Sequence, residues 1–292
     1  MNKKKSAGKA SAGKKKGNVV SLDSLPSMQS MEGLLAGIGI GMGKRMRNDA
    51  LDKAQQIMYD AWDAETRQQG AALAIKALEV SADCADAYVF LAQETAKSLD
   101  EAIQLYRKGV QAGERALGKK TFKNDAGYFW GLLETRPYMR ARAGLAQCLW
   151  DAGCREEAVL HYWDILRLNP NDNQGIRDML MPSLIEMGRD EDAEKLFGQF
   201  KDDGMAVWMY SRALLEFRKN GDSPDAVKSL KAALRENKHV PGYLLCRRKM
   251  PVHLPEHYGF GDENEAILYA YGNMGAWMST PGAFVWLAGR VR

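Results

Sequence analysis

One 34-residue window, Met139 to Asp172, constrains the fold of this chain more than any other feature. Counted from Met139, small residues fall at positions 8 and 20, and large apolar residues fall at positions 7, 11, 24 and 28. This spacing predicts a tetratricopeptide unit, a pair of antiparallel helices whose small side chains allow close approach. A single unit cannot bury its apolar face alone, so the window also predicts neighbouring units.

The same landmarks recur twice further along the chain. In this window these landmarks are Gly153, Ala158 and Tyr162. They recur 35 residues later as Gly188, Ala193 and Phe197, and a further 33 residues later as Gly221, Ala226 and Leu230. Apolar periodicity from residue 49 onward indicates two earlier units, followed by an insertion at roughly 112–136 that we expect to carry its own helix. Two helices near the end, over 262–271 and 281–287, are expected to cap the stack. The predicted fold is all-α, a right-handed tetratricopeptide-like stack of helical hairpins with a capping helix pair.

Charge and composition divide the chain into three parts. The first 16 residues hold seven lysines and no acid, and without them the formal net charge falls from +4 to −3. We predict a disordered Lys-rich tail over 1–18, a linker over 19–46 and a helical-repeat domain over 47–292. No apolar stretch reaches the ~20 residues that a membrane span requires. The four cysteines form no CxxC pair, which fits a reducing, cytoplasmic location.

The inner face of the stack is the best candidate for a binding surface. Positions 2, 5, 9 and 12 of the first helix normally line this face. The residues predicted to bind a partner are Arg140, Gln147, Trp150, Trp208, Ser211 and Arg218. A lining of arginine and tryptophan suits an acidic or aromatic peptide segment. The alternative is that the tryptophans pack beneath the insertion.

The sequence gives little support for a catalytic or metal site. No GxSxG motif is present, and Pro255 disfavours a helix that would place His253 and His257 on one face as metal ligands. We therefore expect no catalytic residue, no metal and no cofactor. The favoured function is a non-enzymatic scaffold that binds a protein or peptide segment on the concave face of the stack.

The alternative is an adaptor tethered to nucleic acid by its N-terminal tail. The lysines that would contact phosphates weakly are Lys3, Lys4, Lys5, Lys14, Lys15 and Lys16. The tail has no aromatic residue that could stack on a base, so a solubilising tail is the competing interpretation.

Several longer stretches resemble the suppressor of tumorigenicity seven family and its bacterial tetratricopeptide-repeat relatives. They are AYVFLAQETAKSLDEAIQLYRKGVQAGE, GYFWGLLETRPYMRARAGLAQCLWDAG, NKHVPGYLL and LPEHYGFGDENEAILYAY. The resemblance covers about residues 70–290, and its most specific part is HVPxYLL followed by PEH and Gly-Asp-x-x-Glu-Ala. It implies a helical-repeat fold, with no reaction and no catalytic residues. The eukaryotic members look like membrane proteins with apolar N-terminal segments. This chain shows no such segment, so the resemblance is not taken to imply a membrane location.

Overall fold

A computed structural model describes residues 49–201 and 203–291, together with Gln29 and Glu32. Across these residues the chain folds into α-helices and short 3₁₀ turns, without a strand. The helices are α1 (Asp49–Trp62), α2 (Arg67–Val80), α3 (Ala85–Glu94), α4 (Leu99–Asn124), α5 (Arg136–Asp151), α6 (Arg155–Leu168), α7 (Ile176–Glu186), α8 (Asp190–Gln199), α9 (Ala206–Asn220), α10 (Pro224–Glu236), α11 (Val240–Leu244), α12 (Glu263–Met278) and α13 (Ala283–Arg290).

The first ten helices form five successive hairpins. In each hairpin the two helices pack against each other. The first helices of successive units also touch, because α1 contacts α3, α3 contacts α5, and α7 contacts α9. We call α1, α3, α5, α7 and α9 the inner helices. This arrangement confirms the predicted all-α helical-repeat stack.

The small residues of the repeat lie where the sequence predicts. Ala158, Ala193 and Ala226 are all completely buried. The turns before them use Gly153 (φ 80°) and Gly188 (φ 71°), in a backbone region that glycine adopts without steric cost. The register that was predicted from landmark spacing is therefore confirmed.

The predicted insertion begins within α4. The assigned range runs to Asn124, but Gly118 (φ 66°, ψ 159°) is not helical, so the residues after it form a separate short helical segment. Two 3₁₀ turns follow, at Phe129–Gly131 and Leu133–Thr135. The extension is held by its aromatic residues, because the completely buried Phe129 packs on Phe122 at 5.2 Å between ring centroids. The expectation that the insertion carries a helix of its own is confirmed, because the non-helical Gly118 separates this segment from the rest of α4.

The two C-terminal helices have different positions. The short α13 covers the end of the last unit, where the ring of Trp286 stacks on Phe217 at 4.5 Å. By contrast, α12 lies across the inner helices α7 and α9. The inner face of the last two units is therefore covered by the chain itself. None of the helices in the described ranges combines the length and apolarity needed to cross a bilayer.

Candidate partner-binding sites

The six residues predicted to bind a partner do not form one continuous lining. Arg140 lies in a buried ion-pair cluster, Gln147 and Trp150 lie on the rest of α5, Ser211 and Arg218 face the C-terminal helices, and Trp208 lines a separate pocket. Each environment has its own chemistry.

The first site is built around Arg140 near the start of α5. Its Nε and Nη2 atoms donate to the two carboxylate oxygens of Asp86 on α3, at 2.8 and 2.6 Å. Its Nη1 atom donates to Oε2 of Glu32 at 2.9 Å. Gln55 of α1 donates to Asp86 as well, at 2.7 Å, and the ring of Trp62 lies 5.6 Å from the guanidinium carbon. Burial disfavours the charged form of Arg140, but the two carboxylates outweigh it and raise the pKa of this guanidinium.

A second arginine holds the same glutamate. Arg136 donates from Nη1 to Oε1 of Glu32 at 2.9 Å, and from Nε to the carbonyl oxygen of Trp130 at 2.8 Å. Glu32 is only 1% exposed. Two guanidiniums and two carboxylates, with Asp86 as the second acid, thus form a neutral cluster. We call Arg136 and Arg140 the arginine pair.

Sequence reasoning identified Arg140 but missed its partners. Asp86 holds position 2 of its unit, the same register position that Arg140 holds in the next unit. Opposite charges at equivalent positions of neighbouring inner helices were therefore a usable signal. Glu32 gave no such signal, because it lies in the segment predicted as a linker. Apart from Gln29 and Glu32, that segment lies outside the described residues, so the predicted linker stays a prediction.

Gln147 and Trp150 lie further along α5 and remain partly exposed. Gln147 accepts a hydrogen bond from the hydroxyl of Tyr162 at 3.3 Å. The guanidinium carbon of Arg155 lies 4.9 Å from the ring of Trp150, and Arg155 forms an ion pair with Glu186 at 2.7 Å. Both predicted residues are thus accessible to a partner, although each side chain already contacts another residue of the chain.

Ser211 and Arg218 bind elements of the chain itself, contrary to the predicted lining. Ser211 is 1% exposed, and its side chain lies beside that of Tyr269 on α12. Arg218 donates to Asp190 at 3.0 Å and to the hydroxyl of Thr280 at 2.9 Å. The residues point inward as predicted, but α12 and the turn after it cover them.

Trp208 is also buried, with 2% of its surface exposed. Its ring packs against Phe197 at 5.0 Å and against Phe200 at 6.1 Å, with the second pair stacked. These three rings line an open cavity of about 460 Å³ between the end of α8 and the start of α9. The cavity, which we call the aromatic pocket, is completed by Glu194, Gly198, Lys201, Asp203, Met209 and Arg212.

One of the three rings carries an unpaired polar group. The buried indole Nε1 of Trp208 has no hydrogen-bond acceptor within the described part of the chain. Buried donors almost always have a partner, so this N–H calls for an explanation. The neighbouring phenylalanines enclose the ring, so Trp208 does not lie on an open inner face, and its contact with a partner stays a prediction.

The remaining candidates lie apart from these sites. The histidines His253 and His257 are both exposed on the loop between α11 and α12. The six lysines predicted to contact nucleic acid lie outside the described residues. Their contact, and the adaptor function that depends on it, stays a prediction.

Comparisons with known proteins place these features in a family. The family model described as ST7 protein matches residues 45–289. Over 260 residues the chain is 28% identical to the Protein ST7 homolog of Drosophila melanogaster, covering 80% of this chain and 48% of that protein. It is 28% identical over 257 residues to the Suppressor of tumorigenicity 7 protein-like of Bos taurus and of Homo sapiens, covering 80% of this chain and 46% and 44% of those proteins. The chain thus spans about half the length of these curated relatives. With a family match that includes all five hairpins and both C-terminal helices, this chain belongs to the ST7 protein family.

Proposed function

We propose that this chain is a non-enzymatic scaffold that binds a segment of a partner protein, with an apolar side chain of that segment held in the aromatic pocket. The observation that carries this proposal is an open cavity of about 460 Å³ lined by three aromatic rings, one of which, Trp208, has a buried and unpaired N–H. Concave sites lined by aromatic side chains and a few placed polar groups are the usual form of a binding site.

The unpaired N–H supports a peptide as the ligand. Leaving a buried donor without an acceptor costs ~1–3 kcal/mol. Binding must bring the buried indole N–H to the cavity surface, where a backbone carbonyl of the segment accepts its hydrogen bond while the adjacent side chain contacts the three rings. An apolar side chain alone would leave the donor unpaired, and a fully polar segment would leave the rings without a contact.

The rim of the pocket fits the same proposal. Glu194, Lys201 and Arg212 surround the aromatic floor, and the guanidinium of Arg212 lies 5.2 Å from the ring of Phe197. An apolar centre with a charged rim is the common anatomy of protein interfaces. A partner segment is therefore expected to carry an aromatic or aliphatic anchor flanked by polar residues.

The test uses peptides selected for binding to the intact chain. A random dodecapeptide library is selected against the purified protein, and the affinity of the recovered peptides is measured by fluorescence anisotropy. Trp208→Phe keeps an aromatic ring but removes the N–H, so we expect at least tenfold weaker binding, which corresponds to one hydrogen bond of ~1.4 kcal/mol.

The matched control is Trp130→Phe, which makes the same chemical change on the 3₁₀ turn after α4. It should leave the affinity unchanged. Selected peptides that lack an apolar anchor, or that bind the wild type and Trp208→Phe equally well, would refute the aromatic pocket as the binding site.

A further inference from the structure

Glu32 enters the stack from a distant part of the sequence. It lies 104 residues before Arg136 and 108 residues before Arg140, yet both arginines bind it. Its carboxylate is almost completely buried between them. A side chain so far from the repeats therefore occupies the inner face of α5.

The arginine pair is positioned without help from Glu32. Asp86 fixes Arg140 through two hydrogen bonds, and the carbonyl of Trp130 fixes Nε of Arg136. These contacts leave the Nη1 atom of each arginine for a carboxylate. A pre-positioned guanidinium loses little conformational freedom on binding, which strengthens the recognition of carboxylates.

The charge balance makes the same point. With Glu32 in place, the cluster of two arginines and two acids is neutral. Without it, the arginine pair and Asp86 would leave one buried positive charge in excess, which is costly unless another anion takes its place. The site therefore requires a carboxylate, whichever chain supplies it.

We infer that the arginine pair is a binding site for an acidic segment of a partner protein, and that Glu32 occupies this site in cis as a competitor. The inference rests on the proposed scaffold function and adds an acidic segment as the class of partner. Replacing one carboxylate by another on the same two guanidiniums changes the free energy little. The other contacts that the partner makes therefore decide which carboxylate binds.

The position of Glu32 in the sequence allows this exchange. Glu32 lies 17 residues before the start of α1, and five glycines, at 33, 37, 39, 41 and 43, lie between them. Glu32 belongs to none of the five hairpins, and its release would break its ion pairs with Arg136 and Arg140. Because Glu32 is tethered to the site, it competes at an effective concentration in the millimolar range. A partner must bind the site tightly enough to displace it.

The experiment uses a fluorescein-labelled peptide of five alternating Glu-Gly pairs, and an equivalent peptide with Gln in place of Glu. We expect the full-length Glu32→Gln protein to bind the Glu peptide at least tenfold more tightly than the wild type does, and binding should weaken with added salt. The Gln peptide should bind neither protein.

Two variants separate the site from a general charge effect. Glu94→Gln, at the end of α3, removes one negative charge from a more exposed ion pair with Arg67 of α2, and it should not increase binding. Adding Arg136→Gln to the Glu32→Gln protein should abolish the gain, because it removes one of the two donors. Equal gains for Glu94→Gln and Glu32→Gln, or a gain that survives Arg136→Gln, would overturn the inference.

Thermal melting gives a readout that does not depend on peptide affinity. Glutarate should raise the melting temperature of Glu32→Gln by filling the vacant site, and should leave the wild type and Glu94→Gln unchanged. No selective rise would count against the inference. Trp208→Phe should bind the Glu peptide as the wild type does. The proposals for the arginine pair and for the aromatic pocket can therefore be refuted independently.

Discussion

At the residue scale, Asp178 shows how burial sets the pH dependence of this fold. Its carboxylate lies near the start of α7, and Oδ1 has no hydrogen-bond partner among the described residues. Burial, aided by the charges of Asp203 and Asp172, raises its pKa to about 7, although Arg177 opposes the shift. The native state therefore keeps a proton that the unfolded chain releases at much lower pH.

The sign of the effect follows from proton linkage. Between the ordinary aspartate pKa near 4 and about 7, the native state binds more protons at this site than the unfolded state does, so its contribution to stability falls as the pH rises. The slope from one such group is at most ~1.4 kcal/mol per pH unit. We expect Asp178→Asn to flatten this dependence, as measured by urea unfolding at pH 5, 6, 7 and 8. The exposed Asp60→Asn should keep the wild-type slope. An Asp178→Asn protein with an unchanged slope would show that another group causes the dependence.

Individual residues also show what the sequence could and could not predict. Ala158, Ala193 and Ala226 were predictable, because close packing within one hairpin depends on local spacing. Trp208 was predicted to face a partner, but periodicity gives only the side of a helix on which a residue lies. Whether that side is open depends on Phe197 and Phe200 from the preceding unit, whose packing the pattern does not contain.

At the scale of elements, the contact between α4 and α5 depends on a glycine. A Cβ atom added at Gly144 would fall on the ring of Tyr106, whose side chain is buried between the two helices. We therefore expect Gly144→Ala to force the helices apart and to lower the free energy of unfolding by ~1–3 kcal/mol, despite the better helix propensity of alanine.

The matched control for this contact lies within α12. A Cβ atom at Gly272 would meet no other atom within 4 Å, so Gly272→Ala should gain the ~1 kcal/mol that alanine contributes to an exposed helix. Chemical denaturation of both variants measures the difference. If the two substitutions shift the midpoint in the same direction, the close approach of α4 and α5 does not determine the stability change at Gly144.

The position of α12 was the element-scale feature that the sequence predicted least well. Its start was predictable from Asp262, whose side chain accepts a hydrogen bond from the backbone N–H of Glu265 at 2.8 Å. Its site on the stack was not predictable, because nothing in its own periodicity says which inner helices it meets. That choice depends on distant contacts, such as the bond that Glu265 accepts from the backbone N–H of Ala206 at 2.9 Å.

At the scale of the whole molecule, the two ends of the stack have different packing. Among the described residues, α1, α2 and part of α3 form one small hydrophobic cluster that includes Met58 and Phe90. A much larger cluster runs from α3 to α13. Repeat proteins without long-range contacts unfold as chains of nearest neighbours. Here α12 joins the fourth and fifth units, so those units and α12 should open together.

Glu265 is the residue that tests this cooperativity. It is 5% exposed, and its carboxylate accepts hydrogen bonds from Ala206, from Asn237 at 2.9 Å and from Gly261 at 2.8 Å. Glu265→Ala leaves these buried donors unpaired, at ~1–3 kcal/mol each. Native-state hydrogen exchange should therefore show faster opening of α12 together with α7 and α9, while α1 and α2 keep their wild-type exchange rates. The control Glu236→Ala, at the exposed end of α10, should change neither region. If Glu265→Ala accelerates exchange in α12 alone, the C-terminal helix is only a cover on the stack. If it accelerates exchange equally at both ends, the five hairpins open as a single unit, and the division into two clusters has no thermodynamic meaning.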